Sequence, residues 1–426
     1  MPVPARIRLG SLAVLLVALA WGCAPARTVA SHAHAGEHAA HGAESPREVV
    51  KRCRRGTPAA GQACYQEAFL AALREKGAGS AVALLDSVAA LDENVKRDGH
   101  VYAHAIGINA FTTPGEVGKT FAACTPGYQS GCYHGVIQGY FADAQRRSPG
   151  GLTDETVNAL CGAYRGSAGD PWLLSQCSHG VGHGLVIYHG YHLPRALRSC
   201  DGVRDATERE SCYGGAFMEN IVKAIHPQHS ALALQHGEGE GHHAHHTGHA
   251  AGADSAGSFK ALDPADLLYP CSAVEEKYWA GCYSIQTAAI LHHTRGSIAR
   301  TAQACDRAPE TMRRACHMSL GRDISGIALR DPRETVRMCS QVAATAQPWC
   351  HTGVVRDLVN FAARAEDGLA YCRVVPGEES KRECYRAVGR DMGALRYDPA
   401  RREEVCRGAE EGYVEVCRAA ADSRSR

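Results

Sequence analysis

The sequence predicts an all-α protein, an α-solenoid of about ten helical hairpins, each ~34 residues long and most stapled by a local disulfide. Three observations carry this. From Cys53 onward the cysteines fall into neighbouring pairs, most of them 11 or 12 positions apart. The second members Cys282, Cys316, Cys350 and Cys384 are spaced by 34, and Cys417 follows at 33. Each interval between them has the pattern of a short helix, a turn and a longer helix.

The composition fits such a chain. It has 426 residues, 45% of them hydrophobic, and a formal charge of +1, so it can bury a sizeable core and has no basic excess for nucleic acid. Against 19 Cys and 23 His stand only 7 Phe and 4 Trp. With so few large apolar side chains, burial per helix is modest and covalent cross-links would supplement the core.

Residues 1–22 have the form of an export signal: Arg6 and Arg8, an apolar run from Leu12 to Ala20, then Gly22 before Cys23. The run is too short for a mature membrane helix. Ala20-Trp21-Gly22-Cys23 resembles the lipobox of bacterial lipoproteins, with Ala20 where Leu is usual. That resemblance implies lipidation of Cys23, attachment to a membrane, and residence in the bacterial cell envelope as an outer-membrane or periplasmic lipoprotein. Ordinary cleavage after Ala20 or Ala26 is the competing reading. With Cys23 acylated, an even number of cysteines remains for an oxidising compartment. Residues 23–48, with His32, His34, His38 and His41 among small and polar residues, form a tether.

The hairpins then follow in order. The pairs are Cys53-Cys64, Cys124-Cys132, Cys161-Cys177, Cys200-Cys212, Cys271-Cys282, Cys305-Cys316, Cys339-Cys350, Cys372-Cys384 and Cys406-Cys417. Cys64 and Cys132 are 68 apart, and midway stands Asp98, with Ser87 at the matching first position. Both cysteines of this unit are missing together, as bridging within units requires, so nine local disulfides are expected. Around Arg333 the pattern predicts a first helix over 334–339, a turn over 343–347, and a second helix over 348–363 opened by Pro348. Closing so short a loop contributes about 3 kcal/mol in the chain-entropy model.

A two-helix unit of this length, stapled across its turn, resembles disulfide-bridged tetratricopeptide and Sel1-like repeats. The chain lacks the W-x2-L-G-x2-Y consensus, so the resemblance implies architecture alone. It divides the protein into hairpins over 49–229 and 263–424. Between them lies a segment, 230–262, whose His236, His242, His243, His245, His246 and His249 fit a disordered linker or a loose metal sponge.

Registered on the units, His100, His134 and His179 share one position of the second helix, and His104, Gln138 and His183 another, four residues on. Neighbouring helix axes are ~8–10 Å apart, and imidazoles from adjacent helices can meet on one ion at Zn–N distances of about 2.0–2.1 Å. The five histidines are therefore candidate ligands of a transition metal, zinc or copper, with Gln138 and Glu219 as additional candidates. Glu219 in the next unit suits a ligand, an acceptor for an imidazole N–H, or a general base. Metal handling and a metal-dependent reaction both fit. A hydrogen-bonded packing row fits the same pattern, as does a scaffold without metal whose concave face grips a partner protein. Gly135, Gly180, Gly182 and Gly184 beside the histidines signal close approach of backbone or ligand.

Other histidines rank lower. His317 and His351 occupy a packing position; His189, His192, His226 and His229 fall in loops, and His292 would extend the row or face solvent. In the later units Arg322-Asp323, Arg356-Asp357 and Arg390-Asp391 share a register and suggest Arg-to-Asp ladders between units. Gly115 to Thr120 imitates a phosphate loop with its first glycine displaced, and no H-E-x-x-H, C-x-x-C or G-x-S-x-G occurs.

Overall fold

The structure is a computed structural model, which describes residues 44–225 and 259–423 apart from 114, 116, 149, 167–169, 363 and 396. The export signal, Cys23, the tether to residue 43, and residues 226–258 with their histidines lie outside the described residues. Among the described residues every regular element is a helix.

Nine of the ten expected hairpins are present among the described residues; in the sixth unit residues 264–273 form turns in place of the expected first helix. The first pairs α1 (Pro46–Cys53) with α2 (Pro58–Lys76); the second pairs α3 (Ala78–Ala89) with α5 (Gly99–Ala110), the short α4 (Glu93–Arg97) lying between. Three more follow: α6 (Val117–Ala122) with α7 (Gly131–Arg147), α8 (Asp154–Leu160) with α9 (Pro171–Tyr188), and α10 (Leu193–Asp201) with α11 (Ala206–Ile225). In the sixth unit the second helix is broken into α12 (Trp279–Tyr283) and α13 (Thr287–His293). The chain continues with α14 (Ile298–Asp306) and α15 (Glu310–Ile327), then α16 (Pro332–Cys339) and α17 (Gln347–Ala362). It closes with α18 (Ala365–Val374) and α19 (Glu378–Ala394), then α20 (Pro399–Arg407) and α21 (Val414–Asp422).

Local chemistry explains the boundaries. Asp170 caps α9 by accepting from the amides of Trp172 and Leu173, and Pro171, which has no amide hydrogen to lose, opens its first turn. In α17 the buried Cys350, His351, Val354, Val355, Leu358 and Val359 recur at helical spacing, so one face turns inward.

Nine disulfides join the cysteines from Cys53 to Cys417, every one within a single unit. Their Cα–Cα distances run from 5.3 to 6.0 Å, the ordinary bridging range. The second hairpin, which has no staple, is tied to the first instead. There Asp92 is buried and accepts from the Arg54 guanidinium and the Tyr65 hydroxyl, each at 2.7 Å.

The longer helices pack on one another in chain order, α2 on α5, α5 on α7, α7 on α9 and α9 on α11, then through α12 to α15, α17, α19 and α21. Glycines set the spacing. A Cβ on Gly135 would overlap the His104 carbonyl oxygen, and one on Gly215 that of His179, so these backbones are in direct contact. The later units use the same device, with Gly353 against the Met318 carbonyl and Gly321 against that of Cys350. Of the two meanings open for the glycines beside the histidines, Gly135 and Gly182 serve close backbone contact; Gly180 and Gly184 receive the side chains of Ile137 and Phe141.

Stacking between neighbours is not the whole of the packing. The turn Tyr128–Ser130, just before α7, lies against α17, five hairpins further on. Tyr128 meets the Phe361 ring edge-on at 5.1 Å, and the Gln129 amide donates to the Asp357 carboxylate. Arg330 covers Phe361 at 3.3 Å and pairs with Asp357 at 3.2 Å. Tyr128, Gln129 and Ser130 all adopt left-handed backbone, with φ of 55°, 51° and 64°. Three such residues in succession are costly for chains with side chains, and strain of this kind persists where the surroundings impose it.

The first two Arg-Asp pairs do not form the expected ladder. Arg322 folds back onto the adjacent Asp323 at 2.6 Å, and Asp357 takes Arg330, which stands between α15 and α16. The links between units are made by other groups: the Thr287 hydroxyl donates to Asp323 at 2.7 Å, and Arg322 to the Ser284 carbonyl at 3.3 Å. Arg322 is long enough to reach the adjacent Asp323, and Arg330 from the connection takes Asp357, so neither aspartate waits for an arginine of the next unit. Among the described residues no helix is long and apolar enough to cross a membrane.

Candidate metal centre

Three successive second helices each carry a pair of polar side chains four residues apart: His100 and His104 on α5, His134 and Gln138 on α7, His179 and His183 on α9. Spacing by four puts both members on one helix face. Glycines bring the backbones of α5 and α7 into contact and seat Ile137 and Phe141 of α7 against Gly180 and Gly184 of α9, so the three faces converge. Ring centroids lie 4.5 Å apart for His100 and His104, 5.5 Å for His104 and His134, 4.7 Å for His134 and His179, and 5.3 Å for His104 and His183.

Every ring is held from outside by one nitrogen. His100 Nδ1–H donates to the Tyr128 carbonyl at 2.7 Å, the carbonyl being presented by the left-handed turn. From α11, Glu219 Oε2 accepts from His183 Nδ1–H and from the Gln138 amide, each at 2.9 Å. That orients Gln138 so that its Oε1 accepts from His104 Nδ1–H at 2.9 Å. His134 Nε2–H donates to Gln176 Oε1 at 3.2 Å, and the backbone of Ser211 bonds the ring of His179.

Carbonyl and carboxylate oxygens only accept, so in each neutral imidazole the bonded nitrogen carries the proton and the other is a bare lone pair. The bare nitrogens point into the cluster. His134 Nδ1 and His183 Nε2 are buried with no hydrogen-bond partner. Nε2 of His100 and Nε2 of His104 face each other at 3.1 Å, lone pair to lone pair. Two such nitrogens repel unless a cation lies between them, and two ligands at about 2.0–2.1 Å from a tetrahedral ion stand about 3.3 Å apart. The ligand atoms of His100, His104 and His134 lie within 4.8 Å of one another, as do those of His134, His179 and His183.

No protein-family model, curated protein or solved structure matches this chain.

Its donor set is of the kind that holds zinc or copper, neutral imidazoles with an oxygen acceptor behind them. Burial holds all five histidines below the ordinary imidazole range, His179 at about 4. Burial also pushes Glu219 up to about 7, against the lowering effect of the Gln138 hydrogen bond and of Lys223. The cluster opens on a cleft of about 880 Å³ lined by His100, His134, His179 and Gln176 together with Arg322 and Arg356 from the later units. That volume suits a small molecule.

The structure brings all seven sequence candidates together, His100, His104, His134, Gln138, His179, His183 and Glu219. Cys177, next to them in sequence, is bridged to Cys161. His317 bonds Asp306 at 2.9 Å, His351 bonds the Tyr371 hydroxyl at 2.5 Å, and His189 bonds Ser199 at 2.8 Å, all away from the cluster. His192 caps α10, and His292 is exposed. Sequence reasoning missed the outer partners Tyr128, Gln176 and Ser211, and Arg322 in the cleft. Gln176 had a signal: three residues before His179, it shares that helix face.

Proposed function

We propose that this chain is an exported, lipid-anchored α-solenoid that binds a transition metal, zinc or copper, through His100, His104, His134, His179 and His183. One observation carries the reading: each imidazole is tied from outside, and the inward Nε2 atoms of His100 and His104 stand 3.1 Å apart, an arrangement that a bound cation relieves.

Three imidazoles leave a tetrahedral ion one open position, and the adjoining cleft supports access to it. Between holding the ion for transfer and using it in a reaction, handling has the better support. Glu219, the carboxylate a reaction would call on as base, already accepts two hydrogen bonds and is not part of the cleft wall. Its role in this reading is to orient His183 and raise its basicity. The histidines of the tether and of the 230–262 segment would then raise the local metal concentration. The many disulfides support an oxidising, extracytoplasmic location, and attachment through Cys23 rests on the resemblance to a lipobox.

The test uses the full chain with the histidines of residues 32–41 and 236–249 changed to Asn, so that they contribute no ligand. Purified without an affinity tag and equilibrated with zinc or copper, it should retain stoichiometric metal, and His179→Ala/His183→Ala should weaken retention at least tenfold. A protein that retains no metal would sink the proposal.

A further inference from the structure

We infer that the centre holds two metal ions with His134 between them, one on Nε2 of His100 and of His104, the other on Nε2 of His183 and the inward nitrogen of His179. This rests on the metal-binding reading above. It follows from how the ligand atoms, one from each ring, are grouped, as two sets of three that share only His134.

One ion cannot serve both sets. Placed with His100 and His104, it separates their facing lone pairs but leaves His183 Nε2 buried with no partner. Placed with His179 and His183, it satisfies that nitrogen and leaves the 3.1 Å contact as it was. Buried polar atoms left in this state are rare in folded proteins. Two ions satisfy every inward nitrogen on the five rings.

The shared ring is the one best able to serve twice. His134 Nδ1 is already bare, buried and unpartnered. Its Nε2 proton goes to Gln176 at 3.2 Å, a longer bond than those holding His100, His104 and His183. His134 and Gln176 both line the cleft, so when the second ion binds the Nε2 proton leaves through it to solvent, and His134 becomes an imidazolate with a lone pair for each ion. Of the guanidiniums in the cleft, that of Arg322 is paired with a carboxylate, donating through Nε and one terminal nitrogen to Asp323 at 2.9 and 2.6 Å. On the other side Glu219 supplies a carboxylate one bond from His183.

The experiment takes the full chain with the same tether and segment histidines changed to Asn, loads it with Cu(II), removes the excess, counts copper per chain and records the EPR spectrum. Two ions per chain are expected, with a signal well below that of two isolated Cu(II) and a half-field transition, because an imidazolate bridge couples the pair. A parallel count with Zn(II) should also give two. His104→Ala and His183→Ala should each keep one ion with an ordinary uncoupled signal, and circular dichroism checks that they are folded; if either is not, the parent's count and spectrum decide alone. One ion per chain in the parent overturns the pair and leaves metal binding standing. Two uncoupled ions of full intensity overturn the place given to His134. No ion overturns both this inference and the reading beneath it.

Discussion

The two runs of hairpins use one frame for opposite ends. In both, a staple sits across the turn and glycine lets the second helices touch, Gly182 and Gly215 in the first run, Gly321 and Gly353 in the second. They differ in what the facing positions carry. In α15 and α17 the aspartates are paired with arginines, Asp323 with the adjacent Arg322 and Asp357 with Arg330 from the connection after α15. In α5, α7 and α9 the same region carries imidazoles whose outer nitrogens are satisfied and whose inner ones are not. The frame is thus shared, and the two runs differ at two positions per helix, which in the first bring imidazoles together.

Breaking the frame in each run separates the two contributions most strongly. Replacing Cys161 and Cys177 by Ser should cost about 3 kcal/mol of stability, and replacing Cys339 and Cys350 a similar amount. Denaturant unfolding would show both losses, whereas metal affinity should fall only in the first, where the staple ends two residues before His179. Equal loss of affinity in the two variants would mean that the centre depends on global stability alone.

Next come the glycine contacts. Gly215→Ala and Gly353→Ala each force a methyl against a carbonyl of the neighbouring helix, at a cost of about 1–3 kcal/mol. Only Gly215→Ala moves the helix that carries His179 and His183, so metal titration should distinguish variants that thermal melts do not. A smaller change sharpens the contrast further. Glu219→Gln removes the carboxylate behind His183 and should weaken metal binding about 10–100-fold, while Asp323→Asn should leave it unaltered.

The mildest effect is on acid stability of the metal-free protein. The buried imidazoles protonate less readily folded than unfolded, so their contribution is complete above the ordinary value of 6.5 and is lost as pH falls from there toward about 4, the value of His179. Glu219, raised to about 7, acts in reverse: its contribution is complete below its ordinary 4.5 and is lost as pH rises through 7. Five groups against one make acid the destabilising direction. Unfolding midpoints at pH 5 and 7 should therefore differ less in His104→Gln/His183→Gln than in the parent, the share of His100, His134 and His179 and of the more distant His189, His317 and His351 remaining. An unchanged difference would place the acid sensitivity elsewhere.

Much of this was legible beforehand, for physical reasons. Staples joining cysteines 8 to 16 residues apart leave their mark as spacing, and the absence of both cysteines around Ser87 and Asp98 excluded bridges between units. Registering on the cysteines put the imidazoles on one face. What the sequence withheld depends on contacts that periodicity does not encode. A backbone carbonyl such as that of Tyr128 has no signature, and the meeting of Gln129 with Asp357 spans 228 positions. The left-handed run at Tyr128–Ser130 contains no glycine, the one residue that would have announced it. The first two Arg-Asp pairs were visible but misleading, since register alone does not reveal that Asp323 takes the adjacent Arg322 and Asp357 an arginine from the connection between helices.

That turn has a consequence for how the protein can be divided. Its carbonyl fixes His100 while its side chains rest on Phe361 and Asp357, so one tight bend belongs to both runs at once. A fragment ending at residue 225 would retain all five histidines and yet lose the abutment against which His100 is set. Modularity along the chain therefore stops short of the centre: one imidazole takes its footing from a bend that two distant hairpins hold between them.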